Sequence, residues 1–98
     1  MKKYRLINNR GAHQYEFQLE NGSAMVEYIK TKNGEMVLTH TEVPTRYQKQ
    51  GVGTELVEQV LEDIKKSHLQ VVPICPFIAD YISAHPQWKS LVVKGIDV

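Results

Sequence analysis

A glycine-containing stretch at residues 41–54, TEVPTRYQKQGVGT, joins two parts of the chain whose hydrophobic patterns differ in period. Before it, apolar and polar residues alternate as in strands with one buried face, and after it apolar residues recur at helical spacing. A strand that turns into a helix leaves unpaired backbone N–H groups at the positive end of the helix dipole. Because Gly51 and Gly53 carry no Cβ, the stretch predicts a cradle in which a phosphate group approaches the main chain closely.

The alternating part of the chain predicts an antiparallel meander of four strands. The pairs Asn21-Gly22 and Asn33-Gly34 favour tight hairpin turns, because both residue types tolerate positive φ. The strands are predicted at residues 4–7, 13–20, 23–31 and 35–42.

The part after the glycines predicts a parallel crossover. Val52, Leu56, Val60 and Ile64 form one apolar stripe of a helix that ends near residue 67. The apolar run at 69–72 then indicates a short strand that is covered on both faces. The fourth strand, this helix and the fifth strand therefore form a βαβ unit, in which the two strands run parallel.

A second helix completes the predicted fold. Pro76 suits its first turn and Pro86 terminates it, while Trp88 and the residues that follow are expected to pack on the sheet as a closing strand or turn. The predicted fold class is α+β, a four-stranded meander plus one βαβ unit that gives a mixed sheet with two main helices. One side of the second helix is predicted to hold Phe77, Ile78, Tyr81, Ile82 and His85.

Length and composition limit the class of protein that this sequence can specify. Its 98 residues suffice for one domain, expected to span residues 1–98, and its 42% hydrophobic and 23% charged residues are typical of a soluble globular protein. A net charge of +1 argues against nucleic-acid binding, and no apolar run approaches the length of a membrane span. The single cysteine, Cys75, cannot form an internal disulfide, which favours a reducing, cytoplasmic location.

The spacing of Gly51 and Gly53 matches one phosphate-binding motif and excludes two others. No Lys-Ser/Thr follows them as in a P-loop, and Leu56 stands where a dinucleotide-binding motif has its third glycine. The spacing Gln48-x-x-Gly51-x-Gly53 resembles the pyrophosphate-binding signature of the GNAT superfamily of acetyltransferases. Two further blocks, HTEVP and VPICPF, resemble a subfamily of small, single-domain predicted N-acetyltransferases.

The resemblance implies a sheet splayed between its fourth and fifth strands, acetyl-CoA as cosubstrate and a primary amine as acceptor. Main-chain groups near Thr41 and Val43 would hold the pantetheine arm and polarise the thioester carbonyl. Relatives often carry glycine and a basic residue where this chain has Lys49 and Gln50, so phosphate binding is expected to rest on backbone N–H groups plus the side chain of Lys49 or Arg46. The residues implied in pyrophosphate binding are Gln48, Lys49, Gln50, Gly51, Val52, Gly53 and Thr54.

Four residues are candidates for the chemistry. Glu42 or His40 at the end of the fourth strand can accept the amine proton, the alternatives being a solvated carboxylate and a structural histidine. Cys75 precedes a helix N-terminus that would stabilise a thiolate, so it is either a nucleophile that carries the acetyl group or a packing residue. The resemblance makes Tyr81 the candidate acid for the departing CoA thiolate, the alternative being a core aromatic.

The expected partners are acetyl-CoA and an amine, with neither nucleic acid nor membrane. The interval between the first two strands has no room for the two helices that usually wall the acceptor site in the superfamily, so an open acceptor side and a monomer or homodimer are expected. No metal is expected, because the histidines have no ligand spacing among themselves or with Cys75. Direct transfer is favoured over a Cys75 acyl-enzyme. The rival functions are a CoA-binding regulatory or interaction module with little turnover and an interaction domain that binds no CoA.

Overall fold

The computed structural model describes residues 2–98 of the chain, which form a five-stranded sheet with two α-helices on one face. Three short 3-10 helices connect these elements, at Arg10–Ala12, Thr45–Tyr47 and Pro86–Leu91. Within residues 2–98, no helix is long and apolar enough to cross a membrane. The main elements in chain order are β1 (Ile7–Asn9), β2 (Gln14–Leu19), β3 (Gly22–Lys30), β4 (Glu35–Glu42), α1 (Val52–Lys66), β5 (Gln70–Pro73) and α2 (Pro76–Ala84).

The sheet keeps its strands in sequence order, from β1 at one edge to β5 at the other. The first four strands are antiparallel neighbours, and the hairpins after β2 and β3 contain the two Asn-Gly pairs. β5 lies parallel to β4, with Glu35 opposite Gln70 and Leu38 opposite Pro73, because α1 carries the chain back along the sheet. The predicted α+β class, a meander joined to a βαβ unit, is confirmed.

One face of the sheet and the apolar stripe of α1 form the core. α2 lies on the same side as α1, since its Tyr81 hydroxyl donates a hydrogen bond to Glu58 of α1 and its Phe77 lies against Gly53. Each large apolar side chain buried here contributes about 1.5–3 kcal/mol to stability. The buried apolar residues are Tyr15, Phe17, Ala24, Val26, Tyr28, Met36, Leu38 and Val71 from the sheet, Val52, Leu56, Val57, Val60, Leu61 and Ile64 from α1, and Ile78, Tyr81 and Ile82 from α2, with Cys75 directly before it.

The opposite face of the sheet, called the outer face below, has neither helix packed on it. Ile29 on this face leaves 58% of its surface exposed. The outer face is made of the alternate side chains of three strands: Gln14, Glu16 and Gln18 of β2, Ser23, Met25, Glu27 and Ile29 of β3, and Glu35, Val37, Thr39, His40 and Glu42 of β4.

The first strand begins later than its sequence suggests. β1 occupies residues 7–9 rather than 4–7, because the preceding main chain is held by α1 instead of by the sheet. The backbone N–H groups of Lys3 and Tyr4 each donate to the Glu55 carboxylate at 2.9 Å.

Three further local predictions differ from the structure. His13 adopts a left-handed conformation with φ of 55° and ends a 3-10 turn, so it precedes β2 rather than starting it. Phe77 leaves 45% of its surface exposed, although the helical stripe predicted it on the buried side. The segment after α2, predicted as a closing strand or turn packed on the sheet, is a 3-10 helix at Pro86–Leu91 followed by a single parallel bridge between Val92 and Val71.

Candidate active site

β4 and β5 separate partway along β4, and the opening between them is the setting of the site. Their pairing ends at Leu38 and Pro73, where the Leu38 carbonyl accepts from the N–H groups of Ile74 (3.1 Å) and Cys75 (2.9 Å). Pro73 has no N–H with which to continue the ladder, and Pro76 starts α2 directly afterwards. Beyond this point the main chain of β4 has no neighbouring strand on that side.

The loop between β4 and α1 is braced by its own glutamines. The side-chain amide of Gln48 donates to the Val43 carbonyl at 3.0 Å, and that of Gln50 donates to the Arg46 carbonyl at 2.8 Å. Both glutamines are among the residues predicted to bind pyrophosphate. The backbone N–H of Gln48 also donates within the loop, to the Thr45 carbonyl at 3.2 Å, whereas that of Gln50 has no acceptor among residues 2–98 and can still be offered to a ligand.

The backbone N–H groups at the start of α1 are unpaired. Lys49 and Gly51 have φ of 63° and 83°, left-handed values that turn the chain into the helix. Among residues 2–98, no acceptor forms a hydrogen bond with the backbone N–H groups of residues 49–54. The Val52 side chain is buried in the core, so Val52 can contribute only its N–H. The result is a run of free donors at the N-terminus of a 15-residue helix, which favours a bound anion.

A pocket of about 310 Å³ lies beside these donors. Phe77, in the first turn of α2, forms part of its wall, and Gly53 allows the ring to come close. A Cβ at position 53 would lie 3.2 Å from Phe77 Cζ and 3.4 Å from Val43 Cγ2. Sequence reasoning did not single out Phe77 for this site, and the only signal was its position directly after the proline that starts α2. The lining residues are Val43, Tyr47, Gln48, Lys49, Gly51, Gly53, Thr54 and Phe77.

Cys75 and Thr41, which belong to separate sequence blocks, meet at the opening. Cys75 caps the N-terminus of α2, and its thiol donates to the Thr41 hydroxyl oxygen with 3.4 Å between Sγ and Oγ1. Only 5% of Cys75 is exposed. The arrangement suits either role predicted for Cys75, because a hydroxyl can accept from a packed thiol or donate to a thiolate.

His40 and Glu42 lie together on the outer face. The register of β3 and β4 shifts between Glu27 and Tyr28, which indicates a β-bulge at Thr39. After the bulge, His40 Nε2 lies 3.2 Å from Glu42 Oε2, and both side chains are more than half exposed. The structure therefore brings the two candidate bases together, but on the side of β4 opposite to the Cys75 thiol.

Tyr81 is held by α1 rather than by Cys75. Its hydroxyl donates to Glu58 Oε2 at 3.2 Å, and its ring stacks on His85 with 4.1 Å between centroids. Burial, followed by the charge of Glu58, raises the pKa of Tyr81. The hydroxyl is thus protonated at neutral pH, as an acid must be, although its proton is directed at Glu58. No pattern in the sequence indicates this role of Glu58.

The described part of the chain, residues 2–98, contains no cluster of three or more His, Cys, Asp or Glu side chains arranged to hold a metal ion.

Comparison with known proteins bears on both the fold and the site. A family model of the GCN5-related N-acetyltransferases matches residues 14–91, a range that includes the loop, α1 and Cys75. The fold is similar to that of a GCN5-like protein from Staphylococcus aureus, determined by NMR in solution, with a TM-score of 0.70 and 22% sequence identity. This similarity covers 95% of the present chain and 91% of the other. A search of curated proteins gives no match.

Proposed function

The chain belongs to the GCN5-related N-acetyltransferase family, and we propose that it transfers the acetyl group of acetyl-CoA directly to a primary amine at the opening between β4 and β5. One observation carries this proposal, the adjacency of the unpaired edge of β4 to the free N–H groups of residues 49–54. Acetyl transfer is the reaction of the family. The acceptor, the mechanism and the residue roles that follow are proposals.

The residues at the opening suit acetyl-CoA, which the family uses as acetyl donor. A diphosphate requires hydrogen-bond donors and positive charge, and the N–H groups of residues 49–54 together with the Lys49 ammonium group supply both. The pantetheine arm contains amides, which match the main chain near Thr41 and Val43, where the pairing of β4 with β5 has ended. Phe77 offers an apolar surface to the remainder. When bound, acetyl-CoA supplies the acetyl group as an activated thioester.

Direct transfer requires a base for the amine and an acid for the leaving thiolate. The amine nitrogen attacks the thioester carbonyl carbon, the C–N bond forms, and the C–S bond breaks with its electron pair leaving on sulfur. His40 takes the proton that the amine loses, directly or through water, and Glu42 stabilises the resulting imidazolium. Tyr81 gives a proton to the thiolate after its hydroxyl turns away from Glu58. Exchange with solvent restores both residues.

A covalent route through Cys75 is the second mechanism, and the Cys75–Thr41 contact is compatible with it because the Thr41 hydroxyl can donate to a thiolate. The thiolate would attack the thioester carbonyl and form an S-acetyl bond as the CoA thiolate leaves, and the amine would then take the acetyl group from Sγ. A CoA-binding module with little turnover is the other alternative. It is favoured by the short connection between β1 and β2, residues 10–13, which leaves the acceptor side without a wall.

Calorimetric titration with acetyl-CoA tests the cradle, and Gly51 offers a matched pair of variants. Nothing lies within 4 Å of a Cβ at this position, so both variants leave the packing intact and carry the same backbone strain from the φ of 83°. Gly51→Glu places a negative charge beside the free N–H groups and is expected to weaken binding at least about tenfold relative to Gly51→Gln. Equal affinities of the two variants would remove the assignment of the diphosphate site.

Intact-mass analysis of the same samples separates the two mechanisms. The direct route predicts that CoA is released when an amine is present. When no amine is present, it predicts that the protein carries no acetyl group. A mass gain of one acetyl group that Cys75→Ala abolishes, and that Thr41→Val reduces, would instead establish the covalent route. Tight binding without CoA release across a panel of amines would favour the binding module.

A further inference from the structure

The outer face carries negative charge at the same end of β4 as the opening. It holds Glu16, Glu27, Glu35 and Glu42, four of the 11 acidic residues of the chain, and none of its 12 Lys and Arg residues. Near the opening, Glu16 and Glu42 both lie opposite Met25, and Glu27 is the next outer-face residue along β3. Glu16 is only 8% exposed and accepts from the Asn9 and Gln14 amides, so Glu27 and Glu42 are the carboxylates that this end of the face presents to a partner. The chain as a whole has a net charge of +1, so this face differs in sign from the rest of the molecule.

The same face ends in an exposed apolar position. Ile29 lies in an open depression of about 550 Å³ that Thr39 borders on one side and His13 on the other, with Lys30 as its only cationic neighbour among the described residues. A side chain that is 58% exposed and sits in a depression gains contact area when an apolar group covers it. The outer face thus offers an apolar anchor beside its carboxylates.

The anchor and the candidate bases are separated by a short length of strand. Ile29 lies opposite Val37, and His40 follows Val37 by three residues along β4, which corresponds to about 10 Å at about 3.3 Å per residue. An extended chain that places an apolar side chain on Ile29 can therefore bring a residue about three positions away to His40.

We propose that the outer face binds a basic polypeptide segment and that a lysine ε-amine of this segment is the acetyl acceptor. The inference rests on the proposed function and specifies its substrate class. Charge complementarity favours a cationic occupant, because a nucleic acid, or a second copy of the chain that docks through the same face, would bring like charges together. The open shape and the apolar depression favour a polypeptide over a small polyamine, which has no side chain to place on Ile29.

Binding of fluorescent peptides, measured by anisotropy without acetyl-CoA, tests the surface independently of turnover. The probe is a peptide with a central lysine, a leucine three residues away and flanking arginines, and its control replaces the arginines with glutamates. Glu27→Lys is expected to weaken binding of the basic peptide at least about tenfold, and Ile29→Ser to weaken it less. Asp80→Lys makes the same charge reversal at an exposed position of α2 and is expected to leave binding unchanged.

Several results would overturn the proposal. The proposal fails if the basic and acidic peptides bind equally, or if Glu27→Lys and Asp80→Lys lose the same affinity for the basic peptide. It also fails if spermidine binds in preference to the peptide, or if sedimentation shows a dimer that Ile29→Ser dissociates. Failure of the proposed function is seen separately. Basic-peptide binding that depends on Glu27, together with no calorimetric signal for acetyl-CoA, would keep the docking surface and reject the acetyl transfer.

Discussion

The Phe77 ring packs closely against the backbone of Gly53 because glycine has no Cβ. A Cβ at position 53 would lie 3.2 Å from the Phe77 ring, closer than most real contacts allow, and the ring is exposed enough to move. Gly53→Ala is therefore expected to displace Phe77 into the pocket and to weaken acetyl-CoA binding more than it changes stability. Calorimetry on a double-mutant cycle checks this, since the second substitution should have little further effect in a Phe77→Ala background. Additive losses would show that Gly53 acts without Phe77.

For individual residues, the sequence predicted which residues lie at the site better than it predicted the directions of their side chains. Cys75 and Thr41 were both singled out, and they are in contact. Its helical spacing predicted Phe77 on the buried side of α2. This prediction is wrong because periodicity does not show that the first turn of α2 projects beyond the core. Gln48 and Gln50 were predicted as ligands, and no pattern indicates that their amides close hydrogen bonds within the loop.

A hydrogen bond between Tyr15 and Asp63 joins β2 to α1. The buried Tyr15 hydroxyl donates to Asp63 Oδ2 at 2.8 Å. Burial, followed by the hydrogen bond and charge of Asp63, raises the pKa of Tyr15 well above its usual value of 10.0. The folded state favours the neutral phenol of Tyr15. The contribution of the Tyr15–Asp63 hydrogen bond to the free energy of unfolding is therefore complete below pH 10 and is lost as the pH rises beyond it.

Tyr15→Phe is therefore expected to lower the free energy of unfolding by about 1 kcal/mol at neutral pH, with the difference from the native chain shrinking above pH 10. Urea unfolding at pH 7 and at pH 10.5 would measure this. Asp63→Asn keeps an acceptor but removes the charge, so its alkaline loss should be smaller than that of the native chain. A difference between Tyr15→Phe and the native chain that is constant with pH would contradict the assignment.

The elements themselves were predictable where local chemistry and period agree. The Asn-Gly pairs and the apolar stripe of α1 fix the meander and the crossover, and β4 has the predicted bounds. The bulge at Thr39 was not predictable, because the apolar alternation of Met36 and Leu38 gives way to the polar residues 39–42. That bulge decides which face His40 and Glu42 occupy, so the side of the candidate bases could be learned only from the structure.

For the molecule as a whole, α1 links every part of the structure that bears on the site. Its N-terminus supplies the free donors, Glu58 holds α2 through Tyr81, and Asp63 holds β2 through Tyr15. Both helices lie on one face, which leaves the outer face free for an acceptor. The sequence indicated this openness through the short connection between the first two strands, whereas the charge of the face follows from strand register.

The Glu55 carboxylate is the main hydrogen-bond acceptor for the N-terminal segment, which Lys2 also joins to α1 by an ion pair with Glu62 at 3.0 Å. Glu55 accepts from the Lys3 and Tyr4 N–H groups at 2.9 Å, and Gln59 reaches both the Glu55 carboxylate (2.9 Å) and the Tyr4 carbonyl (2.8 Å). Tyr4 also stacks on Phe17, with 5.1 Å between ring centroids. Glu55→Ala removes the acceptor shared by two amides more than 50 residues away in sequence.

The expected result is detachment of this segment without loss of the fold. Hydrogen exchange at Lys3 and Tyr4 should become fast in Glu55→Ala, and the free energy of unfolding should fall by about 1–2 kcal/mol. Glu55→Gln retains one acceptor oxygen and should preserve part of the protection. Because the segment touches neither the loop nor the opening, acetyl-CoA affinity should remain close to that of the native chain. A large loss of affinity in Glu55→Ala would instead show that the start of α1 depends on the N-terminal contacts, and that the donors at residues 49–54 are not preformed.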